Sequence, residues 1–186
     1  VNAGNSITSG GNYNVTVGDE AGAAVSTGIQ NTLIGALAGD ALTDADKNVA
    51  IGYGALTTDT LGSRSVAIGT FALEDQNFTS VTDAYNVAVG NAAGANVTTG
   101  TMNTLIGGLA GDAITTGQYN VAIGVDALSV EDTASKSVAV GTSALAVQNA
   151  GTVDAYNVAV GHNSGVNVTT GVNNTLIGGL AGDALT

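Results

Sequence analysis

The chain contains no cysteine, no proline and no tryptophan, and only two phenylalanines among its 186 residues. The absence of cysteine excludes disulfide bonds and thiolate metal ligands. The absence of proline leaves every backbone N–H available to a continuous ladder of strands. Because large aromatic side chains are scarce and 28 residues are glycine, an ordinary globular core would be hard to fill. No apolar run is long enough for a membrane-spanning helix, so we expect no membrane insertion.

Positive charge is also scarce. Three basic residues stand against fifteen acidic ones, which gives a net charge of −12. A strongly negative chain is repelled by phosphate backbones, so we expect no nucleic-acid binding. His162 is the only histidine, and the sequence has neither a phosphate-binding loop nor a nucleophile elbow. We therefore predict that the protein is not an enzyme, with no catalytic and no metal-ligating residues.

The chain is built from a short repeat. The motif Asn-Val-Ala-Ile-Gly, with small variations, occurs ten times in steps of 17 residues, apart from one step of 21 and one of 20. Residues 86–115 and 157–186 match at 23 of 30 positions, so four motifs form a super-repeat of about 72 residues. A fixed period of this kind predicts stacked units that bury their apolar surface against neighbours. The motif glycines are Gly18, Gly35, Gly52, Gly69, Gly90, Gly107, Gly124, Gly141, Gly161 and Gly178.

Each motif has the pattern of a short strand, because its β-branched residues are two positions apart and share one face. We predict an all-β fold, a β-solenoid (β-roll) of about ten stacked 17-residue rungs. Residues 1–186 are interpreted as one repetitive segment of a longer fibre.

The middle residue of the motif is apolar in nine of ten copies, so we expect both strand faces to be shielded from water. One face would fill the coil and the other would meet a partner chain, in an intertwined or side-by-side homotrimer. The predicted interchain core is this middle column: Leu33, Ala50, Ala67, Ala88, Leu105, Ala122, Ala139, Ala159 and Leu176.

Two further columns support stacking. The position that opens the motif is asparagine eight times and serine twice, which predicts a side-chain ladder along the axis. The preceding position holds all three basic residues and four of the five tyrosines. We interpret it as a half-exposed edge that favours long amphipathic side chains, with a ligand-stacking stripe as the alternative.

The two long steps are the best candidates for recognition, because insertions in a solenoid emerge on one face. Phe78 is expected to be an exposed aromatic contact for a host glycan or protein. The simpler interpretation of these steps is a spacer that recurs once per super-repeat. The receptor-contact candidates are Glu74, Asp75, Gln76, Asn77 and Phe78 in the first long step, and Gln148 and Asn149 in the second.

We expect no cofactor. Calcium is the one ion with candidate ligands, either at Asp44 and Asp46 or at Asp19 and Glu20 together with their copies in other chains. Solvated surface charge is the simpler interpretation of these residues.

The motif Asn/Ser-Val-Ala-Ile-Gly, followed by Ala-Leu or Ala-Gly, resembles the head repeats of YadA-like trimeric autotransporter adhesins. The longer form, as in residues 103–113, is similar to repeats of phage tail fibres. The resemblance implies a trimeric β-roll that serves as a structural segment of a virion tail fibre and positions a receptor-binding tip. Its partners would be its own copies, other fibre or tail proteins, and a host surface glycan or protein.

The sequence is also compatible with two other functions. One is the head of a trimeric adhesin on a bacterial outer surface, which would bind directly through its flanks. The other is a monomeric solenoid that binds carbohydrate or ice on a flat face.

Overall fold

The computed structural model describes residues 2–8 and 10–186 and shows a parallel β-solenoid of ten rungs. One three-residue strand from each motif enters a ten-stranded parallel sheet, and two short strands, one from the turn before Ser65 and one from the first long turn, form a second sheet. The strands are β1 Val15–Val17, β2 Thr32–Ile34, β3 Val49–Ile51, β4 Gly62–Ser63, β5 Val66–Ile68, β6 Thr82–Asp83, β7 Val87–Val89, β8 Thr104–Ile106, β9 Val121–Ile123, β10 Val138–Val140, β11 Val158–Val160 and β12 Thr175–Ile177. The large sheet omits β4 and β6 and otherwise follows chain order.

Every motif pairs in register with the next, so equivalent residues lie above one another. Leu105 pairs with Ala122, for example, and Ile106 with Ile123. Since strand residues alternate between faces, the middle residue points into the coil and its two neighbours point outward. The predicted solenoid of about ten 17-residue rungs is confirmed.

The motif glycines are the points of closest approach between rungs. Their φ angles lie between 124° and 143°. A Cβ atom added to Gly107 would lie 2.5 Å from the carbonyl oxygen of Gly124, and the same approach recurs at each of the nine glycines that has a rung above it. No side chain fits in that space, so the glycine is required both by its φ and by its neighbour.

Three more positions in every rung have a left-handed backbone: the residue before the asparagine, and the second and fourth residues after the motif glycine. In all, 23 residues other than glycine have a positive φ, among them Leu128 (φ 54°) and Tyr119 (φ 59°). Left-handed backbone disfavours β-branched residues, and none of these 23 is β-branched. This regular left-handed geometry was not predicted from the sequence.

The predicted asparagine ladder is present, and it runs mainly from side chain to backbone. The Asn103 Oδ1 atom accepts a hydrogen bond from the backbone N–H of Asn120 at 2.9 Å. The Asn103 Nδ2 atom donates to the carbonyl of Gly117, also at 2.9 Å. Each buried asparagine thus binds the next rung at two points, the following asparagine or serine and the turn that leads to it, which satisfies backbone groups that the short strands leave unpaired.

We predict that Gly107→Ala lowers the free energy of unfolding by at least about 2 kcal/mol, because the new methyl group meets the Gly124 carbonyl and the φ of 134° is unfavourable for alanine. The measurement is urea denaturation followed by far-UV circular dichroism. The matched control is Gly108→Ala, whose added Cβ meets nothing nearer than 4.0 Å. Equal effects of the two substitutions would contradict this account of the motif glycine.

Candidate functional site

The residues predicted to form an interchain core lie inside the single coil. Eight of the nine are fully buried by their own chain, and Leu176, in the last rung, is half-buried. They are therefore not available to a neighbouring chain, and that assignment is corrected. The strand has one inward face, and the middle residue occupies it; the apolar residues that point outward are the two that flank it.

Interior volume is shared between the middle column and the fourth residue after the motif glycine, which we call the turn column. A Cβ atom added to Gly94 or Gly111 would lie 2.6 or 2.7 Å from a methyl group of Leu105. The leucine therefore occupies space between two glycines of the turn column. In the seventh rung the sizes are reversed, with Ala122 on the strand and Leu128 in the turn column. This exchange of volume keeps the narrow interior filled.

Three of the predicted receptor-contact residues are buried, which corrects the expectation for them. Gln76 and Gln148 have no exposed surface, and Phe78 is 5% exposed. Glu74 and Asn77 are half-buried, whereas Asp75 and Asn149 are exposed. The exposed tips of the two long turns lie further along the chain, at residues 79–81 and 152–154.

The buried glutamine of the first long step belongs to a polar cluster inside the coil. Gln76 Nε2 donates to Asp59 Oδ2 at 2.6 Å and to Ser65 Oγ at 3.2 Å. Gln76 Oε1 accepts from Asn86 Nδ2 at 2.8 Å. Asp59 also accepts the backbone N–H groups of Gly62 at 2.9 Å and Phe78 at 3.3 Å. Every side chain of the cluster is thus paired, as buried polar groups require.

The second super-repeat contains the same cluster with a longer acid. Gln148 Nε2 donates to Glu131 Oε2 at 2.9 Å and to Ser137 Oγ at 3.0 Å. Asn157 Nδ2 donates to Gln148 Oε1 at 2.7 Å. Glu131 accepts the backbone N–H of Ala150 at 3.2 Å, as Asp59 does that of Phe78. The cluster therefore recurs once per super-repeat.

These clusters connect the interior of the coil to the long turns. In the rungs that contain the long turns, serine replaces asparagine in the ladder, and the shorter side chain leaves a gap that the glutamine amide fills. The carboxylate then binds the backbone at the start of the long turn. We infer that the cluster anchors each long turn from inside.

Each long turn is also held from outside. Arg64 forms an ion pair with Asp83 at 2.8 Å, and Lys136 forms one with Asp154 at 2.6 Å. The hydrogen bond from Lys136 lowers the pKa of the Asp154 carboxyl. Tyr156 donates its hydroxyl to the same carboxylate at 3.3 Å. Both pairs are at the surface, where solvent screening makes their contribution to stability small.

Two of the candidate calcium ligands, Asp44 and Asp46, accept hydrogen bonds from the preceding rung. Asp44 accepts from the hydroxyls of Ser26 and Thr27, and Asp46 accepts the backbone N–H of Ile29 at 2.8 Å. Within residues 2–8 and 10–186, no group of three acidic or histidine side chains could hold a metal ion, and no ligand-sized pocket is present. The same residues contain no helix that is long and apolar enough to cross a bilayer.

No protein-family model, curated protein or solved structure matches the chain.

We predict that Leu105→Ala lowers the free energy of unfolding by about 3 kcal/mol, because it leaves a cavity between Gly94 and Gly111. Adding Gly111→Leu should recover at least about 1 kcal/mol, since the double variant reproduces the arrangement of Ala122 and Leu128. Urea denaturation of both variants is the measurement, with Leu109→Ala, a half-exposed leucine of the same rung, as control. Failure of the second substitution to restore any stability would contradict the shared-volume interpretation.

Burial raises the pKa of the Asp59 carboxyl, and its hydrogen bonds from Gln76, Gly62 and Phe78 only partly offset that rise. Because the folded pKa is raised, the contribution of Asp59 to the free energy of unfolding is fully present below its unfolded pKa of about 3.9. That contribution is lost as pH rises through the folded pKa. Asp59→Val cannot undergo this loss. The free energy of unfolding of the variant, relative to that of the unmodified chain, should therefore rise as pH rises from acidic to neutral.

The measurement is the urea midpoint of both proteins across that pH range. Val97→Ala, in the equivalent interior position of another rung, is the control and should show a difference that does not change with pH. A difference that changes in the opposite direction would mean that the folded chain favours the ionised carboxylate.

Proposed function

We propose that the chain is a rigid structural segment of a trimeric fibre of the phage tail-fibre kind, which positions a receptor-binding tip for attachment to a host. The observation that carries this proposal is the unbroken stack of ten in-register rungs. Residues 2–8 and 10–186 contain no pocket and no cluster of metal-ligating side chains. Such a stack has the properties of a spacer, and its surface offers no enclosed site for a small substrate.

Rigidity follows from the density of contacts between rungs. Backbone hydrogen bonds link each rung to the next at the strand, at the motif glycine and in the turns. The asparagine ladder adds side-chain bonds at the inner edge of the strand. Bending the rod would stretch several of these bonds at once, so the fold resists bending and local opening.

The outward face of the strands is the surface that supports self-association. Its two columns contain only valine, isoleucine and threonine over ten rungs, a stripe roughly 43 Å long. Ile106 is 36% exposed, and Ile123 beside it is half-buried. A continuous uncharged stripe on an acidic protein is typical of an interface. We assign the interchain contact to this stripe.

The head of a bacterial surface adhesin is the second candidate. The long turns favour it, because they recur on the flank once per super-repeat and are anchored on both sides. Anchored loops on a rigid scaffold suit direct recognition. In the fibre they would be contacts with other tail or fibre proteins.

The test is light scattering of the purified chain at several dilutions. We expect a mass of three times 17.9 kDa. The double variant Ile106→Lys with Ile123→Lys should remain folded by circular dichroism but give the single-chain mass, because both side chains point outward. Thr99→Lys with Thr116→Lys, on exposed turns of the same rungs, is the matched control and should stay trimeric. A folded, dilution-independent monomer of the unmodified chain would overturn the trimer.

A further inference from the structure

The residues before the asparagines, which we call the corner column, form a stripe along the rod. Tyr85, Tyr119 and Tyr156 occupy this column in the fifth, seventh and ninth rungs. Their exposed fractions are nearly equal, at 47%, 48% and 50%. Because neighbouring parallel strands lie about 4.8 Å apart, the three tyrosines recur at roughly 9.6 Å intervals. Half-exposed rings at a regular interval form a linear series of apolar platforms.

The backbone fixes where these platforms lie. All three tyrosines have a left-handed backbone, with φ of 52°, 59° and 50°. They therefore leave the coil at the same corner of the rung and in the same backbone geometry. Met102, between the first two, is 43% exposed and continues the apolar stripe.

Side-chain contacts restrain the two outer tyrosines. The hydroxyl of Tyr85 lies 3.5 Å from Asp83, and that of Tyr156 lies 3.3 Å from Asp154. The Lys136 ammonium lies 3.2 Å from the Tyr156 hydroxyl but 5.2 Å from the ring centre. The Arg64 guanidinium likewise lies 5.6 Å from the centre of the Tyr85 ring. Each outer ring thus has a cation beside it, and about half of its surface remains exposed. Rings that are held in place lose little freedom when a ligand binds.

We propose that the tyrosine stripe binds a linear β-1,4-linked hexopyranose chain along the rod. In such a chain each sugar is turned by about half a turn relative to the previous one, so alternate sugars present the same face. Tyrosines on alternate rungs match that alternation. A hexasaccharide provides three equivalent sugars for the three rings. The proposal goes beyond the function proposed above, in which the rod is a spacer and only its tip binds the host.

The surroundings of the stripe favour a neutral polysaccharide. The net charge of −12 opposes a polyanion, and the two basic residues next to the tyrosines, Arg64 and Lys136, are each paired with an aspartate. Lys136 and Asp154 beside the third ring, and Asp83 beside the first, provide donors and acceptors for sugar hydroxyls. The apolar ring with polar groups at its edge suits a pyranose, which has an apolar face and a polar rim.

Calorimetric titration with chitohexaose and cellohexaose tests the proposal. We expect both hexasaccharides to bind at least roughly tenfold more tightly than chitobiose, which can engage one ring only. Maltohexaose, an α-linked chain of the same length that coils, should bind no better than the disaccharide. Saturation-transfer NMR should place the tyrosine ring protons in contact with the sugar.

Substitutions locate the site. Tyr119→Ala should weaken hexasaccharide binding by roughly five- to tenfold, whereas Tyr119→Phe should retain it, because the ring provides the contact. The matched control is Tyr53→Ala. Tyr53 is 49% exposed but lies outside the corner column, where its ring packs against Phe71 with 5.3 Å between centroids.

Four results would overturn the proposal. They are the absence of saturable binding at millimolar hexasaccharide, equal affinity for the disaccharide and the hexasaccharide, equal affinity for maltohexaose, and an equal loss with Tyr53→Ala. Light scattering of Tyr119→Ala separates this inference from the fibre. An unchanged mass is expected, and a loss of assembly would show that the stripe is an interchain seam instead.

Discussion

The structure depends on one contact, the approach of each motif glycine to the carbonyl of the next. It sets the distance between rungs at the bend where the strand ends, and the in-register strand pairing follows from it. The asparagine ladder can form only because neighbouring rungs are this close and aligned. A side chain larger than hydrogen at the glycine would separate two rungs and break strand, ladder and turn bonds together. The repeat therefore keeps its glycine in all ten copies.

The 72-residue super-repeat has a physical explanation in how the interior is filled. Rungs with a strand leucine have a glycine in the turn column, whereas the two rungs that follow have a strand alanine and a turn leucine. The buried carboxylate and glutamine then occupy the positions that valine, leucine or isoleucine take in other rungs. A buried polar cluster stabilises less than an apolar one of equal volume, so its recurrence points to a positioning role. That role is to fix the start of each long turn.

The solenoid, its rung length and the asparagine ladder could be predicted from the sequence because they depend on period and alternation alone. Which face of each strand points into the coil could not be predicted, since both faces are apolar and hydropathy does not distinguish an interior face from an interface. Phe78 and Gln76 were expected at the surface because insertions usually are exposed, yet both are buried. A signal was present: Ser65, Gln76 and Asp59 have counterparts of the same chemistry 72 residues later. The three left-handed positions of each rung gave no such signal, because residues other than glycine occupy most of them.

The parallel stacking has a consequence for how such a rod can be made longer. Contacts between neighbouring rungs join residues about one rung apart in the chain. The two partners of an inter-rung hydrogen bond are typically separated by 16 to 18 residues in the sequence. A rod of twice the length would contain no contact of longer range, and its relative contact order would be half as large. Folding can therefore proceed rung by rung, each step closing a loop of the same size. Duplication of a whole super-repeat would lengthen the rod while each rung still meets the neighbour its interior requires.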